Sequence, residues 1–202
     1  MAPRFIAKQL SRPSGFMGAV IRHLMNRDNA RMNAFAVKQL QFGPSDRVLE
    51  IGFGGGVTLP ALLDAATFVA GVDRSSDVVD WAQRHFASSV KAGRAEFCQG
   101  NVRIAAIRSS RVLKGLHGQH GLFLVLAPGR LGEIRRVLRP QGRVAVGFLP
   151  KERMDRMGMP EDIFTTRAPL DVVGALTKTG FMDVLIARPQ PHTPWNVIVA
   201  TR

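Results

Sequence analysis

Apolar residues near the start of the chain recur at helical spacing. Phe16, Met17, Val20, Ile21, Leu24 and Met25 share one side, with Arg22, His23 and Arg27 between them. Pro13 and Ser14 suit the start of that helix. A second helix is expected over 29–41, with Met32, Phe35, Ala36 and Leu40 on one face, and Gly43-Pro44 ends it. From residue 45 the rhythm changes to short apolar runs alternating with helical stretches. Strands are expected at Arg47–Ile51, Phe68–Asp73 and Ala95–Cys98, with helices over Val57–Ala66 and Ser76–Phe86 between them. Farther on come a helix over Leu131–Leu138, a strand over Arg143–Leu149 and a helix over Leu170–Thr179, with Pro169 before it and Gly180 after it. Strands alternating with helices imply parallel βαβ units. The last two strands, Phe181–Ala187 and Trp195–Ala200, are joined by a loop with no helix, so they should pair antiparallel. The organisation is thus a helical segment, residues 1–44, followed by one α/β domain, residues 45–202.

Residues 103–130 interrupt this pattern. They hold five basic residues, no acid and the phrase His117-Gly118-Gln119-His120-Gly121 where a central strand is required. Leu122–Leu126 is the only run in the segment apolar enough for such a strand.

Composition narrows the class. The chain has 202 residues, of which 46% are hydrophobic and 21% charged, ordinary for a globular domain with a sizeable core. The single cysteine, Cys98, excludes an internal disulfide and a cysteine metal cluster, and a reducing, cytoplasmic setting is the default. Cys98 reads as a small strand side chain rather than a nucleophile. No run has the length of a signal peptide core or of a membrane span. The formal charge of +13 points to an anionic partner, nucleic acid or an acidic membrane surface, but the excess sits in two blocks. One is residues 1–44, with seven basic residues against Asp28; the other is the irregular 103–130 segment. The remainder is close to neutral, so nucleic acid is disfavoured, while peripheral contact of the basic helices with a membrane surface stays open.

The chemistry gathers at the end of the first strand. Glu50-Ile51-Gly52-Phe53-Gly54-Gly55-Gly56 runs from a strand through glycines into a helix. Glycines there let the backbone approach a ligand closely. Asp73, 21 residues after Gly52, closes the second strand, the spacing at which a carboxylate meets the ribose hydroxyls of a nucleotide.

These motifs resemble those of class I S-adenosylmethionine (SAM) dependent methyltransferases. Val48 to Gly56 resembles that family's first motif, an acidic residue followed by alternating glycines, and departs from the dinucleotide fingerprint, which lacks the acid. Gly71-Val72-Asp73 resembles the second motif and Gln99-Gly100-Asn101-Val102 the third, with Asn101 where many members carry aspartate. Leu131 to Pro140 is similar to the helix before the fifth strand in small-molecule methyltransferases. The resemblance implies a Rossmann-like α/β fold with a seven-stranded, mostly parallel sheet and a C-terminal antiparallel hairpin. It implies SAM as cofactor, held by Glu50, Gly52, Phe53, Gly54, Gly56, Asp73, Arg74, Asn101 and Val102, with Glu50 placed to hold the amino group. No metal is called for.

The acceptor is not legible. The proline-rich element of amino-group DNA methyltransferases, the Pro-Cys nucleophile of cytosine C5 chemistry and the thiol set of arsenite methyltransferases are all missing, which leaves a small-molecule or lipid-like acceptor. No catalytic base can be assigned; His23, His117, His120 and His192 qualify by residue type alone. Two other classes compete. A nicotinamide-dependent oxidoreductase is opposed by Glu50 before the glycines, by the terminal hairpin and by the absence of tyrosine. A non-enzymatic SAM-fold protein would bind anionic partners through residues 1–44, with strong salt dependence.

The resemblance also bears on residues 103–130. Members carry Leu-Pro-Phe and then a strand ending in a phrase like Tyr-Thr-Val-Asn-Thr-Val-Tyr-Phe-Trp. Codons for Leu116 to Val125, read one base later, permit that phrase at every step, and Ala105-Ala106-Ile107 permits Leu-Pro-Phe. A frameshift opening near Val102 and corrected near Arg130 is therefore expected. Its consequences would be a poorly formed fourth strand and weak or no activity.

Overall fold

The computed structural model describes residues 30–100, 120–125, 131–158 and 167–202. Helix α1 is helical from residue 30 to 40. Then follow β1 (Arg47–Ile51), α2 (Leu59–Ala65), β2 (Phe68–Asp73), α3 (Ser76–His85), α4 (Ala87–Lys91) and β3 (Ala95–Gln99). The second half contains β4 (His120–Val125), α5 (Leu131–Val137), β5 (Arg143–Phe148), α6 (Lys151–Arg156), α7 (Pro169–Lys178), β6 (Met182–Ala187) and β7 (Asn196–Thr201). The short helices α4 and α6 carry no periodic apolar face that the sequence could announce; neither buries a residue. The first 29 residues, including the expected helix with Phe16 to Met25, lie outside the described residues.

The strands lie in the order β3-β2-β1-β4-β5-β7-β6. Pairing is parallel from β3 through β5, and β7 runs antiparallel to both β5 and β6. The antiparallel closing strand thus comes from the pair that the helix-free loop pointed to. The fourth strand is His120–Val125, starting two residues before the apolar run at Leu122, and it aligns Leu124 with Ile51 of β1. The apolar run of the irregular segment is thus recruited as the strand beside β1.

Central strands are buried on both faces, which is why they read as unbroken apolar runs. Leu49, Ile51, Val72, Val144, Val146 and Ile198 face α5 and α7 through Ile134, Leu138, Val172 and Leu176. The alternate residues Val48, Val69 and Phe97 pack under α2 and α3 through Leu59, Leu62, Val78 and Ala82. Helix α1 covers the same side of the sheet at β5 and β7, where Met32, Ala36 and Leu40 meet Ala145, Val197 and Val199.

The direction of α1 follows from its two ends. A Cβ on Gly147, near the carboxyl end of β5, would lie 3.4 Å from Met32. At the other end Arg143, which opens β5, donates to the Leu40 carbonyl at 3.4 Å and to Gln41 Oε1 at 2.8 Å. Helix α1 therefore runs antiparallel to β5, and residue 30 lies at the carboxyl edge of the parallel strands. That edge, at the point where successive connections leave the sheet on opposite faces between β1 and β4, is where ligands bind in open α/β folds.

Candidate cofactor site

Strand β1 delivers Glu50 to that edge. Alternation puts its side chain on the face of Val48, under α2, where it is 1% exposed. The Thr58 hydroxyl donates to this carboxylate and lies 2.6 Å from each oxygen. Thr58 occupies the N-cap of α2, yet its hydroxyl caps no helix amide; it serves Glu50 instead. Burial pushes the Glu50 carboxyl up from the usual 4.5 to about 7; the Thr58 hydrogen bond opposes the rise and the charge of Asp73 adds to it. Among the described residues no basic side chain forms an ion pair with Glu50 or Asp73.

Asp73 ends β2 beside the glycine turn. Its Oδ2 accepts the Gly54 amide at 2.9 Å and its Oδ1 the Ser75 amide at 3.0 Å. The carboxylate thereby ties the middle of the turn to the tip of β2. The amide of Gly52 donates to Val72 at 2.7 Å and that of Gly56 to Phe53 at 2.8 Å, so the turn is held at both ends. Gly52, Gly54 and Gly56 all adopt positive φ, at 76°, 53° and 69°, a conformation that penalises any residue with a Cβ. Gly56 is further constrained by Trp81, whose Cζ3 would lie 2.8 Å from an added Cβ.

The other expected contacts divide. Phe53 is 4% exposed, packs against Phe97 with ring centroids 5.6 Å apart, and leaves only its backbone to face a ligand. Arg74 is exposed, and its carbonyl accepts from Gln99 at 3.1 Å. Asn101 and Val102 lie outside the described residues, but the Gly100 amide donates to the Asp73 carbonyl at 2.8 Å, so the chain reaches them from beside the site. Cys98 is buried in β3, in keeping with a strand side chain. His192 is exposed on the last loop, while His23 and His117 lie outside the described residues. Thr58 is not among the expected contacts, because the expected helix Val57–Ala66 gives no sign that its hydroxyl reaches Glu50.

The arrangement pairs a left-handed glycine turn with two carboxylates that have no cationic partner among the described residues, on a chain of formal charge +13. Such a crevice suits a nucleoside whose other end is cationic. Residues 48–142 match the family model described as a methyltransferase domain. The chain carries a methyltransferase domain over these residues. The uncharacterized methyltransferase YdaC of Bacillus subtilis (strain 168) is 24% identical over 132 residues, 64% of this chain and 71% of that protein. A putative methyltransferase of Haloferax volcanii, in complex with the activator Trm112, superposes with a TM-score of 0.66 at 15% identity, over 89% of this chain and 92% of its own. Phosphoethanolamine N-methyltransferase 2 of Haemonchus contortus, in complex with SAM, gives 0.62 at 15% identity over 85% of this chain, which spans 52% of that longer protein. At these identities the structural likeness carries the methyltransferase fold. Among the described residues no helix is long and apolar enough to cross a membrane, and no group of three or more His, Cys, Asp or Glu could hold a metal ion.

Proposed function

We propose that this protein transfers a methyl group from SAM to a small-molecule or lipid-like acceptor, using the seven-stranded class I arrangement with its site between β1 and β4. The observation that carries the reading is the placement of Glu50 and Asp73, two carboxylates without cations, on either side of the glycine turn. Bound there, SAM would supply a methyl group on a sulfonium, reactive enough that positioning can provide much of the catalysis. Glu50 would face the ammonium end. Asp73 would exchange its grip on Gly54 for the ribose hydroxyls. Gly52, Gly54 and Gly56 would offer backbone where a side chain would collide, with Arg74, Asn101 and Val102 flanking the nucleoside.

The helical segment of residues 1–44 would cover the acceptor side. Its described part supports this, because α1 begins at the carboxyl edge of β5. Residues 103–130 we read as frameshifted, so that this chain would hold cofactor but turn over weakly. Calorimetric titration with S-adenosylhomocysteine (SAH) and with NADH tests the cofactor, and an acceptor screen with methyl-labelled SAM tests the reaction. Saturable binding of SAH and not of NADH is expected; NADH binding alone would overturn the reading.

A further inference from the structure

Asn33 is a buried polar residue that the cofactor reading above does not use. It lies on α1, is 8% exposed, and its side-chain oxygen makes no hydrogen bond. A buried amide oxygen without a partner is destabilising, and native folds rarely retain one without a use for it.

The helical phase shows where this residue faces. Met32 lies over Gly147 at the carboxyl end of β5. Val37, one turn after Asn33 on the same side of the helix, packs both against the β5–β7 cluster and against the cluster holding Val48 and Phe53. Asn33 therefore looks from α1 across β4 toward β1. It does so one turn nearer the carboxyl edge than Val37, because α1 runs antiparallel to β5. Through Val125 of β4, Gly147 is level with the first position past Ile51, so Asn33 comes to the edge just beyond Glu50, on the face that Val48 and Glu50 share.

We propose that Asn33 is a ligand-binding residue whose side-chain oxygen accepts a hydrogen bond from the ammonium group at the amino acid end of the cofactor, opposite Glu50. The proposal rests on the methyltransferase reading and extends it to a helix outside the glycine turn and its strands. An ammonium has three protons to place. Glu50 alone offers one carboxylate already shared with Thr58, so a second acceptor from the far side of the crevice completes the set. The unfilled acceptor of the free protein becomes satisfied when ligand binds.

The test uses the full chain with Asn33→Leu and Asn33→Asp, and two probes that differ only beyond the sulfur: SAH, which has the amino acid end, and 5′-methylthioadenosine, which lacks it. Leucine is close in shape and removes the unsatisfied oxygen. Asn33→Leu should melt at the same or a higher temperature than the unsubstituted protein, bind SAH about tenfold more weakly and bind methylthioadenosine unchanged. Asn33→Asp, an acceptor at both oxygens, should keep SAH affinity. Unchanged SAH affinity in Asn33→Leu would overturn the proposal. So would equal losses for both probes, or a lower melting temperature, since these mark a structural role. Failure of the unsubstituted protein to bind either probe would instead overturn the cofactor reading, and this proposal with it.

Discussion

The Thr58 hydroxyl holds Glu50 from a distance of 2.6 Å to each carboxylate oxygen, and it is the only hydrogen-bond partner of that carboxylate among the described residues. A hydroxyl brings one proton and no charge, so the Thr58 bond leaves the charge of an ionised Glu50 uncompensated. The free protein meets the cost by keeping Glu50 partly protonated at neutral pH, its carboxyl raised to about 7.

That raised value fixes the sign of two pH effects. In the unfolded chain Glu50 loses its proton near 4.5, and in the folded protein near 7. Between these values the folded state binds more protons, so the contribution of Glu50 is fully present below 4.5 and lost as pH rises through 7, amounting to roughly 3 kcal/mol at most. Glu50→Gln should remove this slope, and melting curves at pH 5 and pH 8 will show it. Binding of a cation beside Glu50 favours the ionised form, so SAH affinity should rise with pH until about 7 and then level. In Glu50→Gln the affinity should be weaker and the rise absent.

Asp73→Ala removes both the ribose contact and the tie to the Gly54 amide. SAH binding should weaken by about 1.5–3 kcal/mol, measured by calorimetry on a variant whose circular dichroism shows it folded. Unchanged affinity would count against the assignment.

Two glycines should respond in opposite directions to the same change. Gly56→Ala forces a Cβ into a left-handed conformation and to within 2.8 Å of Trp81, and should cost about 2 kcal/mol or more in denaturant unfolding. Gly174→Ala, inside α7 with nothing within 4 Å of the new atom, should stabilise by about 0.5–1 kcal/mol.

Much of this site was legible in the sequence because it is built from local pieces. A strand that ends in an acid and glycines, followed 21 residues later by a strand ending in Asp73, places its own parts: the two strands are neighbours and their carboxyl ends coincide at Ile51↔Val72. What sequence could not show depends on packing between distant elements. Thr58 falls within the expected helix Val57–Ala66, and nothing local says that its hydroxyl turns back eight residues to Glu50. Asn33 was passed over because a single polar residue at the edge of an apolar helical face looks like the limit of that face; only the direction of α1 against β5 brings it toward β1. Phe53 sits inside the glycine motif, yet the motif cannot reveal that its ring is drawn into the core by Phe97 across Gly71.

If residues 1–44 cover the acceptor side as proposed, deleting residues 1–27 should leave SAH affinity within a factor of about two and abolish methyl transfer, since the glycine turn is untouched. Loss of SAH binding together with unfolding would show that the segment is needed for the fold itself.

Restoring the alternative reading frame over residues 103–130 should raise both the melting temperature and the turnover with labelled SAM. The other frame would give the central strand, His120–Val125 in this chain, the apolar and aromatic phrase that members of the family carry there. Equal stability and turnover in both versions would refute the frameshift.

The route of α1 has a practical side. Residue 30 sits at the ligand edge of the sheet, whereas Arg202 lies at the opposite edge, its amide donating to Gly142 at 2.9 Å and its carbonyl accepting from Gln141 at 3.2 Å just before β5 begins. Anything attached behind Arg202 starts from the edge away from the crevice. A surface tether, a fluorophore or an affinity handle therefore belongs at the carboxyl terminus, where it starts from the edge away from the ligand it is meant to report.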